Sequence, residues 1–188
     1  IWVKQFGGLS GDYGYSIVVG QDGSIYATGN FHLSVDFDPG PGTHVLTASG
    51  TATEEDIFIL KLDPDGNFIW AKQVGGLYED NANSIDIDGS GNIYLTGVFS
   101  DEVDFDPNSG VSVRTSNGST DIFILKLNSA GDFMWVQQMG GTLQDRGRCI
   151  SVDESGNSHL TGDFQSTVDF DPSASISNLV SNGLEDAF

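Results

Sequence analysis

The chain has 188 residues, with 27 acidic against 7 basic side chains and a net charge of −20 when histidine is neutral. Charged residues are only 18% of the total, below the ~25% usual for globular domains, so the imbalance is a shortage of Lys and Arg. That disfavours partners read through phosphates, whether nucleic acid or anionic lipid. Apolar residues at 38% and aromatics at 11% are enough to build a core and argue against disorder. No run nears the ~18 apolar residues of a membrane helix, so membrane insertion is not expected. A single Cys excludes an internal disulfide or a Cys-based zinc cluster.

In chain order, Trp2-Val-Lys-Gln-Phe-Gly-Gly8 comes first and reads as a closing strand. Strands are then expected around Ser16–Val19 and Tyr26–Phe31, the second containing Tyr26-Ala-Thr-Gly29. Val35-Asp-Phe-Asp-Pro39 follows, and the stretch from Thr43 to Gly50 is expected to add a short ribbon. Asp56-Ile-Phe-Ile-Leu-Lys-Leu62 alternates with period two. Phe58, Leu60 and Leu62 lie on one face and Ile57 and Ile59 on the other, so this strand should be sandwiched between two layers. Asp63-Pro-Asp-Gly-Asn67 is a hairpin turn into Phe68–Val74.

The same elements then recur. Trp70 stands 68 residues after Trp2, and Trp135 a further 65. Tyr94-Leu-Thr-Gly97 and His159-Leu-Thr-Gly162 follow at matching distances, as do Val103-Asp-Phe-Asp-Pro107 and Val168-Asp-Phe-Asp-Pro172. Asp56-Ile-Phe58, Asp121-Ile-Phe123 and Asp186-Ala-Phe188 are instead 65 apart both times, so the first copy's three extra residues lie between Asp38 and Asp56. No segment carries a helical stripe. The fold class is therefore all-β: a β-propeller of four-stranded blades repeating about every 65 residues, with about three blades at 1–66, 67–131 and 132–188, the last truncated. These form one propeller domain or a fragment of one. The chain lacks an initiator Met and stops inside a repeat, so a piece of a longer chain is expected, with the remaining blades supplied by that chain or by another copy.

The set Gly7-Gly8, Asp12-Tyr-Gly-Tyr-Ser-Ile17, Gly23-Ser-Ile-Tyr-Ala-Thr-Gly29, Asp56-Ile-Phe-Ile-Leu-Lys-Leu62 and Gly66-Asn-Phe68 resembles the bacterial SBBP (seven-bladed β-propeller) repeats. The resemblance implies a secreted or surface-attached repeat protein with no catalytic residue in the repeat. Scarce Cys and high acidity fit the same extracellular placement. The chain departs from the resemblance at Val-Asp-Phe-Asp-Pro, which is more acidic than the usual segment.

The recurrent polar candidates are the pairs Asp36/Asp38, Asp104/Asp106 and Asp169/Asp171. On a strand, residues i and i+2 share a face, with Phe37, Phe105 or Phe170 anchored behind. Two carboxylates beside a polar loop suit calcium; alternatively, the first caps a loop amide and the second starts an Asp-Pro turn. An acid pair for glycoside hydrolysis is not expected from a motif present in every copy. Asp86-Ile-Asp-Gly-Ser-Gly-Asn92 reads as a hairpin rather than a calcium loop. Cys149 is expected as a buried inert thiol, and Lys61 and Lys126 as partners of nearby acids. The Trp at the start of each copy is expected in the core, and His32, His44 and His159 form no cluster. The expected function is a non-catalytic interaction or display scaffold with a protein or glycan partner at the cell surface. A lectin-like carbohydrate-binding propeller is the alternative, and would show exposed aromatics near blade edges. An enzyme would need unlike polar residues converging on one rim, which the sequence does not reveal.

Overall fold

The computed structural model describes residues 1–51, 53–173 and 175–188. Among these there are strands and no helix. The first copy runs β1 (Tyr13–Val19), β2 (Ile25–Phe31), a ribbon of β3 (Ser34–Asp36) and β4 (Val45–Thr47), then β5 (Asp56–Leu62) and β6 (Phe68–Gly76). The second repeats this as β7 (Asn81–Ile87), β8 (Ile93–Phe99), β9 (Glu102–Asp104), β10 (Val113–Thr115), β11 (Asp121–Leu127) and β12 (Phe133–Met139). The third has β13 (Arg146–Val152), β14 (Ser158–Phe164), β15 (Thr167–Asp169), β16 (Asn178–Val180) and β17 (Asp186–Ala187). Each copy is an antiparallel meander with the ribbon as an excursion between its second and third long strands.

The sheets pack face to face in series. In β11, Phe123, Leu125 and Leu127 join the cluster holding Ile57 and Ile59, whereas Ile122 and Ile124 join a separate cluster with Ile150. The sandwiched strand expected from the two-sided apolar pattern is thus present. The first long strand of each copy sets the direction of stacking. Ile85 and Ile150 are each 4% exposed because they face the preceding sheet, while their counterpart Ile17 is 67% exposed. The Ser16 hydroxyl accepts from the Ile85 amide at 3.3 Å, and the Ser84 hydroxyl from Ile150 at 3.2 Å. Cys149 holds the same place on β13, where no following sheet stands against it among the described residues, so it is exposed rather than buried as expected.

Matching aspartate tethers precede β1, β7 and β13; Asp80 and Asp145, which join consecutive copies, are fully buried, and Asp12, before the first copy, is half-buried. Asp80 accepts the amides of Gly76 (2.7 Å) and Ser100 (3.1 Å), fixing the end of β6 to the start of β7 and the corner after β8. Asp12 does this with Gly8 and His32, and Asp145 with Gly141 and Gln165. In addition, β6 pairs with β9 of the next copy, Gly75 opposite Asp104 and Gly76 opposite Val103. Residues 2–8, expected as a closing strand, form no ladder, but Phe6 stacks on Phe37 with ring centroids 6.1 Å apart.

The turns follow their residues. Asp88 accepts from the Ser90 and Asn92 amides, with Gly91 at φ +79°, so Asp86–Asn92 is the expected hairpin. Lys126 reaches Asp88 at 3.5 Å; Lys61 instead donates to the Ser129 carbonyl at 3.2 Å. Trp70 and Trp135 pack edge-on against Tyr26 and Tyr94 at 6.4 and 6.0 Å, in the core role expected of them, but Trp2 is exposed.

Candidate functional site

The six expected aspartates occupy three separate turns with the same hydrogen-bond pattern. Oδ1 of Asp36 accepts the amides of Asp38 (3.1 Å) and His44 (2.8 Å); Asp104 does so with Asp106 and Ser112, and Asp169 with Asp171 and Ser177. The second member accepts two residues on: Asp38 from Gly40, Asp106 from Asn108, Asp171 from Ser173. The His44 and Asp38 amides hold the Asp36 carboxyl below the usual range, and the Ser173 hydroxyl and amide do the same for Asp171. Behind them Phe37 packs against Phe31 and Phe58, and Phe105 against Phe99 and Phe123. Each pair thus closes a loop over an aromatic anchor. Among the described residues no three Asp, Glu, His or Cys side chains gather as a metal-ligand group.

A different set of residues meets at the start of β1, β7 and β13. The three copies share one register there: Tyr13 pairs with Asn30, Asn81 with Val98 and Arg146 with Asp163, followed in each case by an irregularity before residue 16, 84 or 149. Yet the side chains differ. Tyr13-Gly-Tyr15 becomes Asn81-Ala-Asn83 and then Arg146-Gly-Arg148, and the position of Glu79 holds Gly11 and Gln144 in the other copies. The backbone frame repeats while its rim does not. Between Tyr13, Tyr15, Glu55, Glu79, Asn83 and Arg148 lies an open cleft of about 450 Å³. Convergence of unlike polar residues was not visible in the sequence because it arises only when the copies are stacked. Its one available signal was divergence between copies at otherwise matched positions.

The cleft carries both signs of charge. Glu55 lies 3.3 Å from His32 Nε2, and Asn30 donates to Glu55 and to Asn81. Burial pushes the Glu55 carboxyl above its ordinary value, His32 pulls it down, and Glu79 pushes it up again. Burial likewise raises the Tyr15 phenol, with Glu55 adding to the effect. On the opposite wall Arg146 reaches Asp163 and Glu185, both at 3.2 Å, and Gln144 at 2.6 Å, while Arg148 donates to Asp163. Two of the chain's seven basic residues therefore stand here. The Tyr13 and Tyr15 rings are parallel to within 7°, with centroids 6.3 Å apart, and are 50% and 49% exposed.

Comparison with known proteins places a repeat on this frame. Residues 69–98 match the family model of SBBP, a beta-propeller repeat. The match runs from within β6 through β7 into β8, across the junction of two sheets. The chain is 24% identical over 160 residues to the regulatory protein FlaEY of Caulobacter vibrioides, covering 83% of this chain and 16% of the relative. It is 26% identical over 117 residues to an uncharacterized WD repeat-containing protein, L264, of Acanthamoeba polyphaga mimivirus, covering 55% of this chain and 8% of that one. The chain thus spans less than a fifth of either relative.

Proposed function

We propose that the chain, carrying a beta-propeller repeat at residues 69–98, is a non-catalytic scaffold segment of a secreted or cell-surface bacterial protein, and that the rim cleft, where unlike polar residues converge but Glu55, Arg146 and Arg148 are already engaged by His32, Asp163 and Glu185, is a binding surface rather than an active site. Its four-stranded units are blades, and the further blades come from a longer chain or another copy. The observation that carries this reading is the contrast between a backbone and core repeated from copy to copy and a rim that carries Tyr, Asn and Arg at matched positions. A position whose side chain changes while its backbone register stays fixed is not held by the core, and such variable surface positions on a rigid frame are where binding residues concentrate.

The reading predicts a separation of effects. Tyr15→Ala, Glu79→Ala and Arg148→Ala are each expected to cost under about 1 kcal/mol in urea unfolding, as surface changes and exposed ion pairs do. Ile85→Ala, which empties a site between the first two sheets, is expected to cost about 2–5 kcal/mol. Rim variants as damaging as Ile85→Ala would make the rim part of the frame and sink the proposal.

Within the same reading, the Asp-Phe-Asp-Pro turns are loop closures. One oxygen of each first aspartate accepts two amides, and no three Asp, Glu, His or Cys side chains gather at these turns among the described residues, too few ligands for a cation that takes ~6–8 oxygens. A calcium titration of metal-stripped protein is accordingly expected to be flat in both heat and melting temperature. Saturable uptake with a raised melting point, lost on changing Asp36, Asp104 and Asp169 to Asn, would instead establish calcium as a stabilising cofactor.

A further inference from the structure

Resting on the scaffold reading above, we propose that the rim cleft binds a neutral pyranose, the terminal or side-branch hexose of a glycan, with Tyr13 and Tyr15 as its stacking surface.

The aromatic pair is the first support. At the matched positions the other copies carry Asn81 with Asn83, and Arg146 with Arg148, so nothing in the strand requires a ring there. Both tyrosines nevertheless leave half of their surface in water, with their rings parallel. Exposed aromatic surface favours burial against an apolar partner. A flat C–H face with polar groups around its edge is the shape that such a ring and a polar cleft can cover together.

The second support is the mixture of charges. Glu55 and Glu79 would repel an anion, and the net charge of −20 would oppose its approach. A cation would meet Arg146 and Arg148 across the same opening. A neutral polyol suffers neither penalty. Each hydroxyl donates once and accepts twice, so carboxylates on one wall and guanidinium and amide groups on the other can serve adjacent hydroxyls of one ring. The cleft's volume of about 450 Å³ lies within the ~300–1,000 Å³ typical of small-ligand sites. Its openness to solvent suits a unit that remains attached to a longer glycan.

The test is a titration of the 188-residue chain with methyl glycosides of glucose, galactose and mannose and with N-acetylglucosamine, followed by amide chemical shifts and calorimetry. At least one sugar is expected to bind saturably with Kd on the order of 1 mM, as a single small ring in an open site should. Shifts should centre on residues 13–15, 79–83 and 146–148. Tyr15→Ala is expected to weaken binding at least tenfold, whereas Trp2→Ala, an exposed aromatic packed by Gly66 at the far end of the sheet, should leave it unchanged. Absence of binding by all four sugars, or binding that survives Tyr13→Ala/Tyr15→Ala, would overturn the assignment. Tetramethylammonium binding with the same tyrosine dependence, in place of sugar, would overturn it in favour of a cationic ligand. Melting curves keep the two proposals apart. If the tyrosine variants melt like the parent and no sugar binds, only the ligand assignment fails; if they melt as early as Ile85→Ala, the scaffold reading fails first.

Discussion

Phe105→Ala is expected to destabilise the chain by about 3–5 kcal/mol, the usual cost of emptying a fully buried phenylalanine site. Phe105 is completely buried, its ring edge-on to Phe99 at 5.2 Å and tilted against Phe123 at 5.1 Å. It belongs to the cluster that also holds Ile57, Ile59 and Val74 of the first sheet, so the cavity would open where two sheets and a ribbon meet. The stiff backbone of Asp104 and Asp106, each tied into turn hydrogen bonds, limits collapse into that space and favours the upper part of the range. Phe105→Leu, which keeps most of the volume, should cost much less. Urea unfolding at constant pH measures both. A loss below about 1 kcal/mol for the alanine variant would show that the ribbon does not seal this junction.

The second large effect concerns Asp80, a fully buried carboxyl. Asp80→Ala removes the acceptor for two half-buried amides, Gly76 and Ser100. It is expected to cost about 2–4 kcal/mol, because stranded buried donors lose roughly 1–3 kcal/mol each and water can reach one of them in part. The residue also couples folding to pH. Burial is the main cause that pushes its pKa up to about 8, opposed by the two amide hydrogen bonds and assisted by the charges of Asp56 and Glu79. A carboxyl whose folded pKa exceeds its unfolded value holds its proton more tightly in the folded state. The stability it contributes is complete below about pH 4 and is withdrawn as the pH rises to about 8. Other carboxyls shift in both directions, Glu55, Asp56 and Asp121 upward and Asp36, Asp63 and Asp153 downward, so total stability does not isolate this group. The difference between the parent and Asp80→Asn does. It should move in favour of the asparagine variant as pH is raised from about 4 to about 8. A difference independent of pH would mean that Asp80 is charged throughout and that its amides outweigh its burial.

Strands, turns and sandwiched faces were legible because each depends on residues close in sequence: alternation in Asp56–Leu62, Asp-x-x-Gly turns, and the 68- and 65-residue recurrences. The ribbon and the aromatic anchors of the Asp-Phe-Asp-Pro segments could be read for the same reason. The tethers at Asp12, Asp80 and Asp145 recur at the same spacings, yet an aspartate near a strand looks the same whether it caps a turn or ties three segments together. Pairing of β6 with β9 joins residues nearly 30 positions apart across a copy boundary, and no local pattern encodes it. Cys149 was misplaced because matched sequence positions need not have matched environments: Ser84 faces the next sheet and Cys149 faces solvent. The rim was missed through the opposite habit. Similarity between copies reveals the frame, and only dissimilarity at matched positions, as at Tyr15, Asn83 and Arg148, marks what the frame presents.

The serine ladder from Ser16 to Ile85 and from Ser84 to Ile150 has a consequence for how such a chain can change over generations. Because both junctions are made between the same two positions, a duplicated unit that keeps its serine and isoleucine brings with it the contact that docks it on its parent. Gain or loss of a whole unit preserves every contact rule, whereas a partial insertion breaks one. After a duplication, the tethers and aromatic anchors hold the new unit to the old pattern, while its first few inner-strand residues are free to drift. New recognition surfaces can then arise by copying the architecture and editing a handful of side chains at one end of it.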